Sequence, residues 1–248
     1  MEWLTHTTTG FFVGQAMLQP DERPKRAGWW WIVASVSPDW LEVITTQFGD
    51  IHRGVTHSLY AWPILVVLWA AAARRWGGDR VASFQRLSLV FCAIIGSHLL
   101  LDILMSYRLY FAWPFTDAKW SFGIMPFYDL YIFVGWLLLL IVHRWRKWPS
   151  MRTATIGLLI VLMMFSVRAT GKLRTELLAA NMIDHRTERI ETRSTYYQPW
   201  IWHVRSTQTL QHWTPINIVT GEIVSRDHII NRWFPPINWR ALFRRGGR

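Results

Sequence analysis

The feature that most constrains this chain is the stretch Leu87–Ser106, which is apolar throughout except for His98 and Asp102. A helix that crosses a bilayer needs roughly 20 consecutive, mostly apolar residues, and this stretch is long enough. Three others approach it: Leu59–Ala73, bounded by Arg74 and Arg75; Pro126–Val142, ending at His143-Arg144-Trp145-Arg146-Lys147; and Thr153–Val167. Two helices are predicted ahead of these, Trp3–Leu18 and Ala27–Val36, the second stopping at Ser37-Pro38. The expected fold is mainly α, a polytopic helical membrane domain of about six helices over residues 1–170. The first helix does not read as a secretory signal, because it lacks a basic leading segment and a small-residue cleavage site.

Composition supports this placement where it is uneven. The apolar residues concentrate before residue 170, and many of the 18 tryptophans flank the apolar runs, as amphipathic rings do at headgroup depth. The formal charge of +11 suits either a nucleic-acid groove or short cytoplasmic loops. Position favours the loops. Asp21–Arg26, Arg74–Arg86 and Arg144–Arg152 are all basic, and six alternating helices put all three on one side. The positive-inside rule makes that side cytoplasmic, and with the charge placed in loops no nucleic-acid partner is expected. Residue 1, the Asp39–His57 segment and everything after residue 170 then lie on the extracytoplasmic side. The lone Cys92 leaves no disulfide framework within one chain.

Residues 171–248 read as a separate, small β-rich extramembrane module. A helix is expected over Arg168–Arg193, then alternating β-branched and polar residues over Tyr196–Ser225, with Thr220-Gly221 as a hairpin turn.

The chemistry rests on ionisable residues in or beside the apolar runs. His98 and Asp102 are four apart, so on a helix they share a face with Cβ atoms about 6 Å apart. A central Asp in a membrane helix costs roughly 3 kcal/mol, so such a residue is paired or functional. The bland reading is a His–Asp hydrogen bond that locks helices together. Other residues argue for more: in the alternating topology His6, Asp39, His52, His57, Asp102 and Asp129 all fall near the outer helix ends, with His98 one turn deeper. Imidazole with carboxylate suits zinc, manganese or iron, whereas calcium or magnesium prefers oxygen alone. This many donors suggests one or two ions, and paired ions suit phosphoester hydrolysis. Asp39 or Asp129 would be the orienting base, and Arg53 would hold a phosphate oxygen. His143 reads as a solvated loop residue; Glu2 and Glu42 either support the ligands or are plain exposed charges, the plain reading being favoured. Two other functions stay open: an ion-transport or metal-sensing site, and a structural cluster in a scaffold whose tail binds a partner.

In order, Thr5-His6-Thr7, Pro38-Asp39, His52-Arg53-Gly54-Val55-Thr56-His57-Ser58, His98-Leu99-Leu100-Leu101-Asp102 and Asp129 resemble the YdjM/YbcI-type family of membrane-bound, predicted metal-dependent hydrolases. The resemblance covers roughly residues 1–170. It implies distant similarity to zinc-dependent phospholipase C and related nucleases, which bind a zinc cluster through a His-X-X-X-Asp helix. By that similarity Asp39, His52, His98 and Asp102 would be metal ligands, joined by His6 and His57, with Asp129 last in line. The N-terminal tryptophan and the later His-X-X-X-Glu of the soluble relatives have no counterpart here. The resemblance gives a chemistry class and no substrate; the expected site at the helix ends, opening toward the interface, favours a lipid headgroup or lipid-linked phosphate, with membrane lipids as partners.

Overall fold

The computed structural model describes residues 3–45, 54–105, 109–126, 129–146, 150–181, 190–195, 198–206 and 212–224. Among them are six helices: α1 (Trp3–Met17), α2 (Ala27–Thr45), α3 (Ala61–Trp76), α4 (Phe84–Leu104), α5 (Leu130–Arg146) and α6 (Ser150–Ala180). Three strands follow: β1 (Ile190–Ser194), β2 (Ile201–Ser206) and β3 (Thr214–Asn217). The chain divides into two units, Met1–Ala169 and Thr170–Arg248, the boundary falling inside α6. Two helical stretches, Phe84–Leu104 and Thr155–Ala180, are long and apolar enough to cross a membrane.

Local chemistry explains where the helices depart from the sequence reading. Pro38 lies inside α2 and does not end it at Val36. Proline has no N–H to give the carbonyl four residues back, which leaves Ala34 O short of a donor. Ser37 Oγ donates to that carbonyl at 2.8 Å and in turn accepts from Trp69 Nε1 at 3.0 Å. The helix therefore continues to Thr45 and carries Asp39 within it. The start of α5 moves from Pro126 to Leu130, because Asp129 Oδ1 accepts from the backbone N–H of Tyr131 (3.0 Å) and of Ile132 (3.3 Å). That is the N-cap arrangement that satisfies orphan donors at a helix start. Ser83 caps α4, its hydroxyl accepting from Arg86 N at 3.4 Å.

The first unit is organised by three stripes at i, i+4 spacing, which on a helix form one face. They are His6, Gly10 and Gly14 on α1; Trp31, Ser35 and Asp39 on α2; and Ile94, His98 and Asp102 on α4. The glycines let α1 approach closely. A Cβ on Gly14 would lie 2.5 Å from Trp31 Cδ2, and one on Gly10 would lie 2.3 Å from Ser35 Cβ and 3.2 Å from Ile94 Cγ2. With α1 seated this way, His6 is carried to the end of the stripe where Asp39, His98 and Asp102 lie. At the other end, the loops around residues 21–26 and 74–86 meet: Lys25 N donates to Gly77 O (2.7 Å) and Ala82 N to Glu22 O (2.9 Å). Phe91, Ile94 and Ile95 of α4 fill the core between α1, α2 and α3. Farther along, Phe12 stacks on Trp136 of α5 with ring centroids 5.6 Å apart, in a second core with Leu101 and Ile132.

The second unit holds an antiparallel sheet in the order β1-β2-β3, with Thr192 opposite Val204 and Trp202 opposite Ile216. Val204, Ile216 and Ala179 form its small core. The helix expected to Arg193 stops at Ala180, and Ile190–Ser194 is β1, where its backbone groups are taken up by β2. The turn at Thr220-Gly221 is present, closed by Gly221 N to Asn217 O at 2.7 Å, and Ile216 pairs with Ile223 across it.

The packing at Gly10 is testable. Gly10→Val should destabilise the protein by about 1–3 kcal/mol through overpacking. Ala71→Val, on an exposed part of α3, should change stability by less than about 0.5 kcal/mol. Thermal unfolding in detergent compares the two, and equal midpoints would mean that α1 does not seat through Gly10.

Candidate metal centre

Four donors from two helices and one loop converge in the first unit. Asp39 comes from α2, His57 from the loop before α3, and His98 and Asp102 from α4; one ligand atom of each lies within 4.8 Å of every other. His57 Nε2 is the hub. It lies 3.2 Å from Asp39 Oδ1, 3.3 Å from Asp102 Oδ2 and 3.3 Å from His98 Nε2. His98 Nε2 is in turn 3.4 Å from Asp102 Oδ2 and 3.7 Å from Asp39 Oδ1. All four side chains are buried, Asp39 being the most accessible at 9%.

Protons alone serve this arrangement poorly. An imidazole nitrogen carries at most one hydrogen, and His57 Nε2 faces three electronegative atoms at nearly equal distance. Nor can the two facing Nε2 atoms both donate. Buried carboxylates are costly unless paired or bound to a metal. A cation at the centre would satisfy all four donors, and their spacing fits one: tetrahedral bonds of about 2.0–2.2 Å place neighbouring ligand atoms roughly 3.3–3.6 Å apart. The group could therefore hold a metal ion.

The surroundings orient the hub. His57 Nδ1 is 2.9 Å from Thr56 Oγ1 and 3.9 Å from Glu42 Oε2, so the far side of the ring faces a hydroxyl and a carboxylate. Metal-binding histidines are commonly oriented by such a partner. Ser58, whose hydroxyl accepts from Ala61 N at 3.2 Å and donates to Val55 O at 2.9 Å, fixes this loop to the start of α3. Burial works against a charge on His57, but the Asp102 and Asp39 carboxylates outweigh it and raise its pKa to about 9.

His6 lies beside the four. Its ring stacks on His98 at 3.9 Å between centroids, and its Nε2 is 3.3 Å from Asp102 Oδ1. Asp102 thus turns one oxygen to His6 and the other to His57 and His98. His52 and Arg53 lie outside the described residues. Asp129 is a correction. Its Oδ1 caps α5, and its Oδ2 accepts from Arg168 Nε at 3.0 Å and pairs with Arg168 Nη2 at 2.9 Å, both side chains fully buried. It anchors α5 to α6 and does not belong to the four-donor group. His143 is no loop residue either: it lies in the last turn of α5, with Nδ1 3.0 Å from Thr153 Oγ1. Glu42 was missed. Its position three residues after Asp39, one turn along the same helix, was the available signal.

The family model of the YdjM inner membrane protein matches residues 1–174. The chain belongs to this family. No curated protein and no solved structure matches it. The YdjM match spans α1 to α5 and most of α6, and so takes in every residue of the four-donor group.

Three outcomes follow for metal content, read by elemental analysis of detergent-purified protein. His98→Ala and Asp102→Ala should lose the ion while remaining folded. Asp129→Asn should keep it yet lose several kcal/mol of stability, since Arg168 is left without a buried counter-charge. Glu42→Gln should weaken metal affinity by about 10–100-fold. A metal must also displace the proton that the carboxylates hold on His57. Affinity should therefore rise with pH, about tenfold per unit up to pH near 9, and level off above it. A flat profile between pH 6 and 9 would remove His57 from the ligand set.

Proposed function

We propose that this YdjM-family chain is a membrane-embedded, metal-dependent hydrolase acting on a phosphoester, such as a lipid headgroup or lipid-linked phosphate, at the outer face of the cytoplasmic membrane. The observation that carries the reading is the convergence of Asp39, His57, His98 and Asp102 within 4.8 Å of one another at one end of the helices. Mixed imidazole and carboxylate donors suit zinc, with manganese or iron as substitutes. When bound, a divalent ion supplies Lewis acidity to a phosphoryl oxygen and lowers the pKa of water.

The chain's own residues have separable parts in this reading. His57, His98 and Asp102 would hold the ion in a dry site, where charge interactions are strong. Asp39, the most accessible of the four, would be the fourth donor and would also orient the attacking water and receive its proton. With Asp129 committed to Arg168, that task falls to Asp39 alone. His6 and the second oxygen of Asp102 offer the beginnings of a second ion site. Arg53, four residues before His57 in sequence, remains the candidate for gripping a phosphate oxygen.

Topology supports the outer face. The basic loops at 21–26 and 74–86 meet at the end opposite the cluster, and the positive-inside rule assigns that end to the cytoplasm in a multi-pass arrangement. A site at helix ends meets a headgroup without extracting its lipid.

Purified protein loaded with zinc should release the headgroup from at least one member of a panel of phospholipids and phosphodiesters. His98→Ala and Asp102→Ala should fall to background. A folded, metal-loaded protein that leaves the whole panel intact would sink the hydrolase reading; metal flux in proteoliposomes would then replace it with ion transport.

A further inference from the structure

A wide apolar groove runs along the outside of α1, α2 and α3, with a volume of about 1090 Å³. Small-molecule pockets usually measure about 300–1,000 Å³, so this one is large for a soluble metabolite. Its floor is hydrocarbon, from residues such as Ile32, Val36 and Leu68. The hydroxyls set into it are already engaged, Thr7 Oγ1 with Leu4 O and Ser37 Oγ with Ala34 O and Trp69 Nε1. The charged lining residue, Arg75, is in the last turn of α3, at the end away from the cluster. Whatever fills the groove brings no polar group to its middle.

The groove also has defined ends. Trp3 and Trp40 stack at 5.8 Å across one, while Trp29 and Trp76 line the other. Along α2 the lining runs from Trp29 to Leu41, about 18 Å at 1.5 Å per residue. Half of a bilayer's hydrocarbon core is about 15 Å. A groove with aromatic ends and one leaflet's length suits a chain of finite length. A partner helix would run on past both ends.

The last observation connects the groove to the metal centre. His6 is flanked on α1 by groove-lining residues at −3 and +1, Trp3 and Thr7; Asp39 is flanked on α2 at the same offsets by Val36 and Trp40. The Trp3–Trp40 end of the groove thus adjoins the cluster through two of its helices.

We propose that the groove holds an acyl chain of a membrane lipid whose headgroup is presented to the Asp39–His57–His98–Asp102 cluster. This rests on the hydrolase reading for the headgroup's fate and narrows the substrate class to phosphoesters carrying a long hydrocarbon chain. Soluble phosphodiesters would lack the group that the groove binds.

The test uses the full-length protein in vesicles of phosphatidylethanolamine and phosphatidylglycerol, doped with a phosphatidylglycerol bearing a diazirine in one acyl chain. After illumination, labelled residues are mapped by mass spectrometry, and hydrolysis of the same lipid is measured in parallel. Labelling severalfold denser on groove positions than on exposed positions of α5 such as Leu137 and Leu138 is the expected result. Val33→Trp and Leu68→Trp, which fill the groove from exposed positions, should bring that labelling down to the α5 level with metal content unchanged. Leu138→Trp should leave it alone. Even labelling over all exposed helices, or groove labelling that the tryptophan variants do not reduce, overturns the proposal, as does a groove shielded by a cross-linked second copy. Strong groove labelling without hydrolysis upholds the acyl site and counts against the hydrolase reading. Hydrolysis of short-chain and long-chain esters at equal rates, unchanged in the variants, overturns the acyl site and leaves the hydrolase standing.

Discussion

Everything in the first unit depends on placing two carboxylates and two imidazoles within reach of one another in a dry interior. Left to themselves, Asp39 and Asp102 would repel and would be poorly solvated, and the one proton on His57 Nε2 cannot serve three partners. A buried ionic group that is only half satisfied is worse than an apolar core. A cation held among them would supply the compensating charge. The small residues of α1, the passage of α2 through Pro38 and the α4 stripe bring the donors together, because each fixes the height of one donor along a common axis. A shift of one residue in any stripe would rotate its donor about 100° away.

Part of this was legible in the sequence, for physical reasons. His98 and Asp102 stand out because an apolar run makes ionisable residues costly, so their presence carries information. Their helical spacing then fixes their common face without further data. Asp129 was misread for the same reason that made it visible. An aspartate just ahead of an apolar helix looks alike whether it binds a metal or caps the helix. What separates the cases is Arg168, a partner 39 residues later on α6 that no local pattern points to. Pro38 misled in the opposite direction. Proline predicts a helix end unless the carbonyl it strands finds another donor, and the preceding Ser37 supplies one. The strand at Ile190–Ser194 was taken for helix because its charged residues, Glu191 and Arg193, mask the alternation of Ile190, Thr192 and Ser194. Its pairing with β2 is a long-range fact that local propensity does not contain.

The glycines of α1 show how fold and site are coupled. In water, helix association draws on the hydrophobic effect, but a membrane interior is as apolar as the side chains, so close packing has to provide the attraction. Gly10 and Gly14 permit that closeness against Ser35 and Trp31. The same seating delivers His6 to Asp102 and leaves Trp3 and Thr7 on the outer side of α1, where they wall the apolar groove. One helix thus has one face toward the charged cluster and another toward an apolar groove.

The geometry of Asp102 bears on how many ions such a site accommodates. One oxygen faces His57 and His98; the other faces His6, whose ring is stacked on His98 at 29° between planes. On the proposed reading, the group of Asp39, His57, His98 and Asp102 would hold one ion. His6 and the other oxygen of Asp102 are two donors, where a divalent ion needs four or more. A second ion beside them would need further ligands, from water or from the substrate itself. It would therefore bind firmly only together with a phosphoester, whereas the four-donor group would hold its ion without one.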